Sequence, residues 1–311
     1  MKRADCLFFV LAAVLITAAV HLATPEHATA DAKGGASPSV RPPAQAEPER
    51  VAGDKAVVAP VTGRAAPARS VGPARSVGLA APDKKELAQQ LVASAENSTL
   101  NWREAYGYIE DIGDGQGYTA GVVGFCTGTH DLLALVERYT RAHPGNGLAR
   151  YLPALREVDG TDSHEGLDPN FPAAWRHEAG LAAFREAQDS ERDRIYFDPA
   201  VRLAGRDGLG ALGQFVYYDA MVMHGPGTGG HSFHGLRERT LREADPPSEG
   251  GDEKTYLGTF LDVRRAVMKS EDPGRDTTRV DTAQRRFLDA GNLGLRTPLE
   301  WKVYGETYRV P

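Results

Sequence analysis

Hydrophobic residues recur at helical spacing through most of the chain beyond residue 83. The first run holds Leu87, Leu91 and Val92, and it follows Asp83 and Glu86, whose spacing is typical of a helix-starting capping box. We therefore predict a first helix from residue 83 to about residue 97.

The same spacing predicts helices in most of the remaining chain. Residues 209–223 are almost wholly apolar, which is typical of a central buried helix. The segment Tyr196-Phe-Asp-Pro199 predicts a break after a long helical region. The other helices are predicted at 131–141, 148–158, 173–194, 253–269 and 282–290.

Three short regions depart from helical spacing. Residues 113–117 are dense in glycine and predict a turn, and the apolar run 121–126 predicts a strand. Residues 301–304 alternate like an edge strand. We therefore predict one mainly α-helical α+β domain over residues 83–311, with a small β element near its start. A domain of this length can form two lobes with a cleft between them.

The first 30 residues predict a secretory signal peptide. Lys2 and Arg3 precede an uncharged apolar run at 7–20, and residues 28–30 form an A-x-A cleavage pattern. The alternative is a membrane anchor, but a span needs about 20 apolar residues and this run is shorter. We expect a secreted, extracellular protein.

Residues 31–82 predict a disordered linker or propeptide. They are rich in Pro, Ala and Gly, and the segment PARSVG occurs twice, at 67–72 and 73–78. Cys6 lies in the predicted signal peptide, so Cys126 is left alone and cannot form an internal disulfide. Export without disulfides indicates a bacterial protein, and Cys126 is expected to be a small buried hydrophobe rather than a nucleophile.

The predicted domain is acidic. Residues 83–311 contain 27 Lys and Arg against 36 Asp and Glu, whereas the full chain carries a net charge of −6. An acidic surface argues against nucleic acid as a partner and favours a cationic one, although acidity also serves solubility alone.

Two carboxylates bracket the region between the first helix and the glycine turn. Glu96 follows small and apolar residues, where a carboxyl group loses solvation and tends to keep its proton. Asp114 stands between Gly113 and Gly115, in a wet turn where a carboxylate stays ionised. Such a pair can act as general acid and general base, but a pair of surface charges would look the same in an acidic chain.

The sequence contains three other features that could form a site: the glycine turn, a group of histidines, and an aspartate in an apolar helix. The glycine turn has the wrong spacing for a dinucleotide or calcium site. His224, His231 and His234 lack further ligands at suitable spacing, so we expect no metal. Asp219 lies in the apolar 209–223 helix, where burial would require a partner such as Arg264 or Arg279; the alternative is that all three face solvent.

Six motifs then show a family resemblance. They occur in order as SAENSTLNW, YIEDIGDGQGYT, GFCTGTHDLL, RIYFDPAV, ALGQFVYYDAMVMHGPG and RVDTAQRRFL. In these motifs the chain resembles the chitosanases of glycoside hydrolase family 46 from residue 83 to its end. The resemblance implies a lysozyme-like, two-lobed fold and endo-hydrolysis of β-1,4 linkages in chitosan with inversion. The chain is then expected to be a monomer that needs no cofactor and that does not bind a membrane after signal cleavage.

The resemblance also implies roles for single residues. Glu96 matches the general acid, Asp114 the general base and Thr119 the residue that holds the attacking water. Asp131, Tyr108 and His224 match residues that contact substrate. The last group matches a buried charge network that positions the acid: Asp219, Arg264 and Arg279.

Two positions depart from the family pattern. Gln116 stands where relatives carry Arg, and Arg275 stands where they carry an acidic residue, so contacts at the cleft edge are expected to differ. Two rival functions stay open from the sequence: a muramidase that acts on peptidoglycan, and a non-catalytic module that binds a cationic polysaccharide.

Overall fold

The computed structural model describes residues 78–311. The predicted signal peptide and nearly all of the predicted linker lie outside these residues. Ten α-helices occur in the described chain: α1 Pro82–Glu96, α2 Asp131–Ala142, α3 Leu152–Val158, α4 Phe171–Ala179, α5 Ala182–Arg192, α6 Asp198–Arg206, α7 Ala211–His224, α8 Phe233–Leu241, α9 Glu253–Glu271 and α10 Arg285–Asp289. The mainly helical α+β prediction is confirmed.

Five short strands form two antiparallel sheets. β1 Ile109–Asp111, β2 Tyr118–Ala120 and β3 Phe125–Cys126 lie in that order near the start of the domain. β4 Leu299–Val303 pairs with β5 Glu306–Val310 at the C-terminus. The small β element is therefore present where the sequence predicted it.

The predicted strand over 121–126 is wrong for most of its length. Gly121 and Gly124 have φ angles of +76° and +71°, which turn the chain. Only Phe125 and Cys126 remain extended, and they pair with β2. The glycine turn at 113–117 instead joins two strands that the apolar pattern did not indicate.

The apolar side chains form two separate cores, which correspond to the two predicted lobes. The larger core is built by α1, α6–α10 and β4, and α7 lies at its centre as predicted. The smaller core gathers the three-stranded sheet and α2–α5. Ala93 of α1 belongs to the smaller core while Leu91 belongs to the larger, so both lobes pack on this helix.

Several helix boundaries differ from prediction. The first helix begins at Pro82, with Ala81 as the cap. The predicted capping box does not form, because the Glu86 carboxylate accepts hydrogen bonds from Trp102 and Arg103 instead. Leu79 is already buried, and its amide donates to Gln214 Oε1, so order begins before residue 83.

The break predicted at 196–199 does not occur. Helix α5 passes through a π-helical turn, Asp193–Phe197, directly into α6, whose first turn tolerates Pro199. The predicted helix over 173–194 is instead divided at Gly180, and α8 was missed. Within the described residues, no helix combines the length and hydrophobicity needed to cross a membrane.

Candidate active site

Glu96 is the last residue of α1, and its side chain is 12 % exposed. Helix α1 is anchored near this end because Ser94 Oγ accepts a hydrogen bond of 2.9 Å from the Trp301 indole of β4. Arg279 Nη2 lies 2.7 Å from Glu96 Oε1, yet no N–H points at that oxygen well enough for a hydrogen bond. The Glu96 carboxyl group therefore also faces a cation, Arg279, which belongs to the charge network that the resemblance implied around the acid.

The cation belongs to a buried network centred on Asp219. Asp219 Oδ1 accepts from Arg279 Nη2 at 2.8 Å, and Oδ2 accepts from Arg264 Nη1 at 2.6 Å. Gln284 Nε2 also donates to Oδ2, at 2.6 Å. All four side chains are buried, so the alternative of a solvent-facing Asp219 is wrong.

Local backbone geometry explains why Arg279 and Gln284 meet at one carboxylate. They begin and end a π-helical turn, Arg279–Gln284, in which residues five apart lie on the same side. Burial alone would raise the pKa of Asp219, but the guanidinium charges of Arg279 and Arg264 outweigh it and hold that pKa well below its usual range. Asp219 is therefore ionised at neutral pH.

Asp114 lies in the turn between β1 and β2. Its Oδ1 accepts the Gln116 amide at 3.0 Å, which fixes the side chain. Its Oδ2 is buried and has no hydrogen-bond partner among residues 78–311. Gly117 allows the close approach that this turn needs, because a Cβ there would lie 2.2 Å from Thr127 Oγ1. The turn therefore fixes one carboxylate oxygen and leaves the other, which is buried, able to accept a further hydrogen bond.

Thr119 lies in β2, five residues after Asp114, and its side chain is fully buried. Its Oγ1 lies 3.3 Å from the Sγ of Cys126, directly opposite in β3. The predicted water-holding residue and the predicted base thus come from one short hairpin.

The three predicted substrate contacts lie in different settings. Tyr108 is half-buried and donates to Glu110 Oε2 at 3.4 Å. Asp131, at the start of α2, is 9 % exposed and accepts three hydrogen bonds, from the Cys126 amide, Thr129 Oγ1 and Tyr196 Oη. Burial raises the pKa of Asp131 and the three donors lower it. Burial is the larger effect, so the pKa of Asp131 lies above its usual value.

His224 lies inside the charge network instead of on an open wall. It is 2 % exposed, and its Nε2 accepts from Arg264 Nε at 3.2 Å. Burial and then the charge of Arg264 lower the pKa of His224 well below its usual value, so the imidazole is neutral. The structure thus places His224 in contact with Arg264 of the buried network, and not on an exposed surface.

The two departures from the family pattern also have defined surroundings. The carbonyl of Gln116 accepts the Gly128 amide at 2.8 Å, which ties the turn between β1 and β2 to the loop before α2. Arg275 Nη1 donates to Glu271 Oε2 at 2.8 Å, and His231 Nδ1 lies 3.2 Å from the other oxygen of that carboxylate. The Arg275 side chain is therefore held by the carboxylate of Glu271, four residues earlier in the chain.

Sequence reasoning missed several members of this site. Gln284 and Tyr196 lie within the quoted motifs RVDTAQRRFL and RIYFDPAV, but the sequence analysis gave neither of them a role in the site. Cys126 was expected to be a plain hydrophobe, yet its thiol contacts a polar side chain. In the described part of the chain, no three His, Cys, Asp or Glu side chains converge on a point where a metal ion could bind.

Comparison with known proteins identifies the family of this chain. The sequence profile of glycosyl hydrolase family 46 matches residues 90–299. The chitosanase of Streptomyces sp. (strain N174) is 58 % identical over 231 residues, which is 74 % of this chain and 83 % of that protein. The chitosanase of Nocardioides sp. (strain N106) is 53 % identical over 262 residues, or 84 % of this chain and 94 % of that protein.

A solved structure agrees with these matches. The family 46 chitosanase of Gynuella sunshinyii, in complex with chitotetraose, superposes with a TM-score of 0.69 at 32 % identity, covering 74 % of this chain and 98 % of that one. The likeness confirms the predicted lysozyme-like α+β fold class. With a profile match that includes both Glu96 and Asp114, the chain belongs to glycosyl hydrolase family 46.

Proposed function

We propose that this protein hydrolyses chitosan within the polymer and inverts the anomeric carbon, with Glu96 as general acid and Asp114 as general base. The observation that carries the proposal is the unlike support of the two carboxylates. Glu96 is held against a guanidinium network that Asp219 neutralises in part, and Asp114 has one oxygen free of protein partners. One group is thus positioned to give a proton and the other to take one.

The reaction then proceeds in one displacement. Water attacks the anomeric carbon while Asp114 takes one of its protons, and the glycosidic bond to oxygen breaks as Glu96 gives its proton to the departing oxygen. The resemblance gives Thr119, whose side chain is fully buried, the role of holding this water on the face opposite the leaving group. Because the water must fit between base and sugar, we expect carboxyl groups about 6.5–9.5 Å apart or more, rather than about 5–5.5 Å as in retaining enzymes.

Arg279 lies between the carboxylates of Glu96 and Asp219. Its Nη2 donates to Asp219 Oδ1 at 2.8 Å and forms an ion pair with Glu96 Oε1 at 2.7 Å. Arg279 and Asp219 therefore fix the position of the Glu96 carboxyl group. We infer that this positioning is the role of a charge network that costs desolvation to bury.

The substrate class follows from charge and from the relatives. Chitosan carries ammonium groups, and residues 83–311 hold nine more acidic than basic side chains. The matched curated relatives are chitosanases, and one solved relative binds chitotetraose. A muramidase or a non-catalytic binding module is not favoured by these matches.

The stereochemistry of the first product is the most direct test. Proton NMR of a reaction with highly deacetylated chitosan is expected to show the α-anomer first, with the β-anomer appearing later by mutarotation. Size-exclusion chromatography of the same early samples is expected to show long oligomers, as internal cleavage requires. A first-formed β-anomer would exclude inversion, and binding without new reducing ends would exclude an enzyme.

The proposal includes export, and a monomer remains the default expectation. The support for export is the apolar run at 7–20 followed by A-x-A at residues 28–30. When the full gene is expressed in an actinobacterial host, the protein in the medium is expected to lack residues 1–30 or more by intact mass. Full-length protein that stays in the membrane fraction would contradict export.

A further inference from the structure

His164 lies against both strands that carry the turn of Asp114. Its imidazole ring stacks on the ring of Tyr118 in β2, with the centroids 4.1 Å apart and the planes 9° from parallel. Its Nε2 lies 3.2 Å from Oδ2 of Asp111, the last residue of β1. One side chain thus contacts the strand residues on both sides of the turn at 112–117.

Asp111 connects this contact to the turn itself. Its Oδ1 accepts the Gly113 amide at 2.8 Å, whereas its Oδ2 faces His164. Asp114 follows directly after Gly113, so the carboxylate of Asp111 holds the backbone next to the proposed base. The orientation of the Asp111 side chain therefore affects where Asp114 is presented.

A second carboxylate faces the other ring nitrogen. His164 Nδ1 lies 3.5 Å from Asp168 Oδ2, and the Tyr118 hydroxyl donates to Asp168 Oδ1. Burial raises the pKa of Tyr118 above its usual value, so the phenol keeps the proton that it donates. Asp168 therefore joins the imidazole to β2, as Asp111 joins it to β1.

The loop that carries His164 is fixed to the smaller lobe. The carbonyl of His164 accepts the amides of Leu167 and Asp168 at 2.9 and 3.3 Å, and Leu167 is fully buried in the smaller core. The turn also packs on this loop, since a Cβ on Gly117 would lie 3.2 Å from the carbonyl oxygen of Thr161. The imidazole is therefore a fixed point against which the hairpin is held.

The charge of the imidazole sets how strongly it holds the hairpin. A protonated ring attracts both carboxylates, whereas a neutral ring has one N–H and no net charge. Its Nε2 is buried and makes no aligned hydrogen bond within residues 78–311, so the contact with Asp111 depends on charge. Arg176 of α4 also faces this pair of strands: it donates to the Ile109 carbonyl at 3.1 Å, and its charge acts on Tyr118. Because an arginine keeps its charge near neutral pH, the imidazole is the group that changes charge between about pH 5 and 8.

We propose that His164 is a positioning residue whose protonated imidazole clamps the β1–β2 hairpin and so places Asp114 for catalysis. The proposal rests on the proposed role of Asp114 as general base. Placement matters because a displacement of about 1 Å in a catalytic group can cost about 10²-fold in rate. The clamp thus makes the turnover rate depend on a residue outside the acid and base pair.

The ratio of kcat between wild type and His164→Gln, measured at two pH values, tests the proposal. Glutamine keeps a polar side chain and removes the charge that histidine gains on protonation. With soluble chitosan oligomers, wild-type kcat is expected to exceed that of the variant by about 3–10-fold near pH 5 and by less than about 2-fold near pH 7.5, with KM little changed. Both proteins contain Glu96 and Asp114, so the ratio removes most of the titration of these two groups.

Asp111→Asn isolates the charge of the clamp. Asparagine can still accept the Gly113 amide, but it gives the imidazolium no anion. The wild-type to Asp111→Asn ratio of kcat is expected to fall in the same way between pH 5 and 7.5. In this background, His164→Gln should lower kcat near pH 5 by a smaller factor than it does in wild type. If thermal unfolding shows that His164→Gln does not fold, the pH dependence of Asp111→Asn decides the question.

His177→Gln is the matched control, since His177 is an exposed histidine on α4 of the same lobe. Its kcat is expected to stay within about 2-fold of wild type at both pH values. An equal wild-type to His164→Gln ratio at both pH values would reduce His164 to a packing role and overturn the proposal. A rise in KM with kcat unchanged would overturn it as well, because it would indicate a contact with substrate. The same pH-dependent ratio in His177→Gln would show an unspecific effect of charge and would also refute the clamp.

Failure of this inference is distinguishable from failure of the proposed function. If wild type hydrolyses chitosan and Asp114→Asn does not, an equal ratio at both pH values overturns the inference alone. If wild type does not hydrolyse chitosan, or if Asp114→Asn keeps wild-type kcat, the proposed function itself is refuted.

Discussion

Replacing Glu96 by glutamine is expected to lower kcat on chitosan by about 10²–10⁴-fold, the usual contribution of a positioned general acid. Glutamine has nearly the same shape as glutamate, but it has no acidic proton to give to the departing glycosidic oxygen. Because Glu96 ends α1 and is not in either core, the fold should be kept. Initial rates of reducing-end release, with KM measured in parallel, check the prediction.

A nearby glutamate provides the control. Glu104 is exposed, and it accepts a hydrogen bond from Asn101 in the short segment after α1. Glu104→Gln removes the same charge from the same region and is expected to keep kcat within about 2-fold, since surface charges contribute little. If Glu96→Gln also stayed near wild type, Glu96 could not be the proton donor.

The sequence predicted the local backbone settings of Glu96 and Asp114, but it predicted the side chains around them only in part. Glu96 at a helix end and Asp114 in a glycine turn follow from local patterns, and both are found there. The approach of Arg279 to Glu96 joins residues 183 positions apart and depends on how α1 meets the π-helical turn. No periodic pattern in the sequence predicts a contact between residues so far apart in the chain.

The errors in secondary structure have local physical causes. The apolar run at 121–126 resembled a strand, but glycines at 121 and 124 with positive φ turned most of it into a loop. The Asp-Pro pair at 198–199 resembled a helix break, but proline is tolerated in a first helical turn, and a π-helical turn carried the chain through. Patterns of residue type do not distinguish these outcomes from the more common ones.

The partners of Asp219 show where resemblance added most. Burial of a charge in an apolar helix required a partner, yet the sequence offered many arginines. The sequence named Arg264 and Arg279 as candidates, the resemblance assigned both to a buried network, and both donate to Asp219 in the structure. Gln284 completes the set, and it was not foreseen because an uncharged amide gives no sign of burial.

Replacing Asp219 by asparagine is expected to lower the free energy of unfolding by about 3–5 kcal/mol, the usual cost of leaving buried charges uncompensated. Asp219 accepts all three of its hydrogen bonds. In the asparagine variant the side-chain NH₂ would face one of these donors, and Arg264 and Arg279 would lose their anionic partner. The melting temperature should fall by roughly 6–20 °C. Asp262→Asn is the matched control, since Asp262 pairs with Arg285 but is 71 % exposed, and its loss should cost about 1 kcal/mol or less.

The pH dependence of this loss tests the charge itself. The two guanidinium groups hold the pKa of folded Asp219 below its usual value, so the carboxylate stabilises the fold fully above about pH 4, where the unfolded chain also ionises. As the pH falls toward the depressed folded pKa, the wild type loses this stabilisation and the asparagine variant has none to lose. The difference in melting temperature between wild type and Asp219→Asn should therefore be constant from pH 5 to 8 and narrow below about pH 4. A difference that stayed constant or widened at lower pH would show that Asp219 stabilises by packing or neutral hydrogen bonds, because only an ionised carboxylate couples its contribution to pH with this sign.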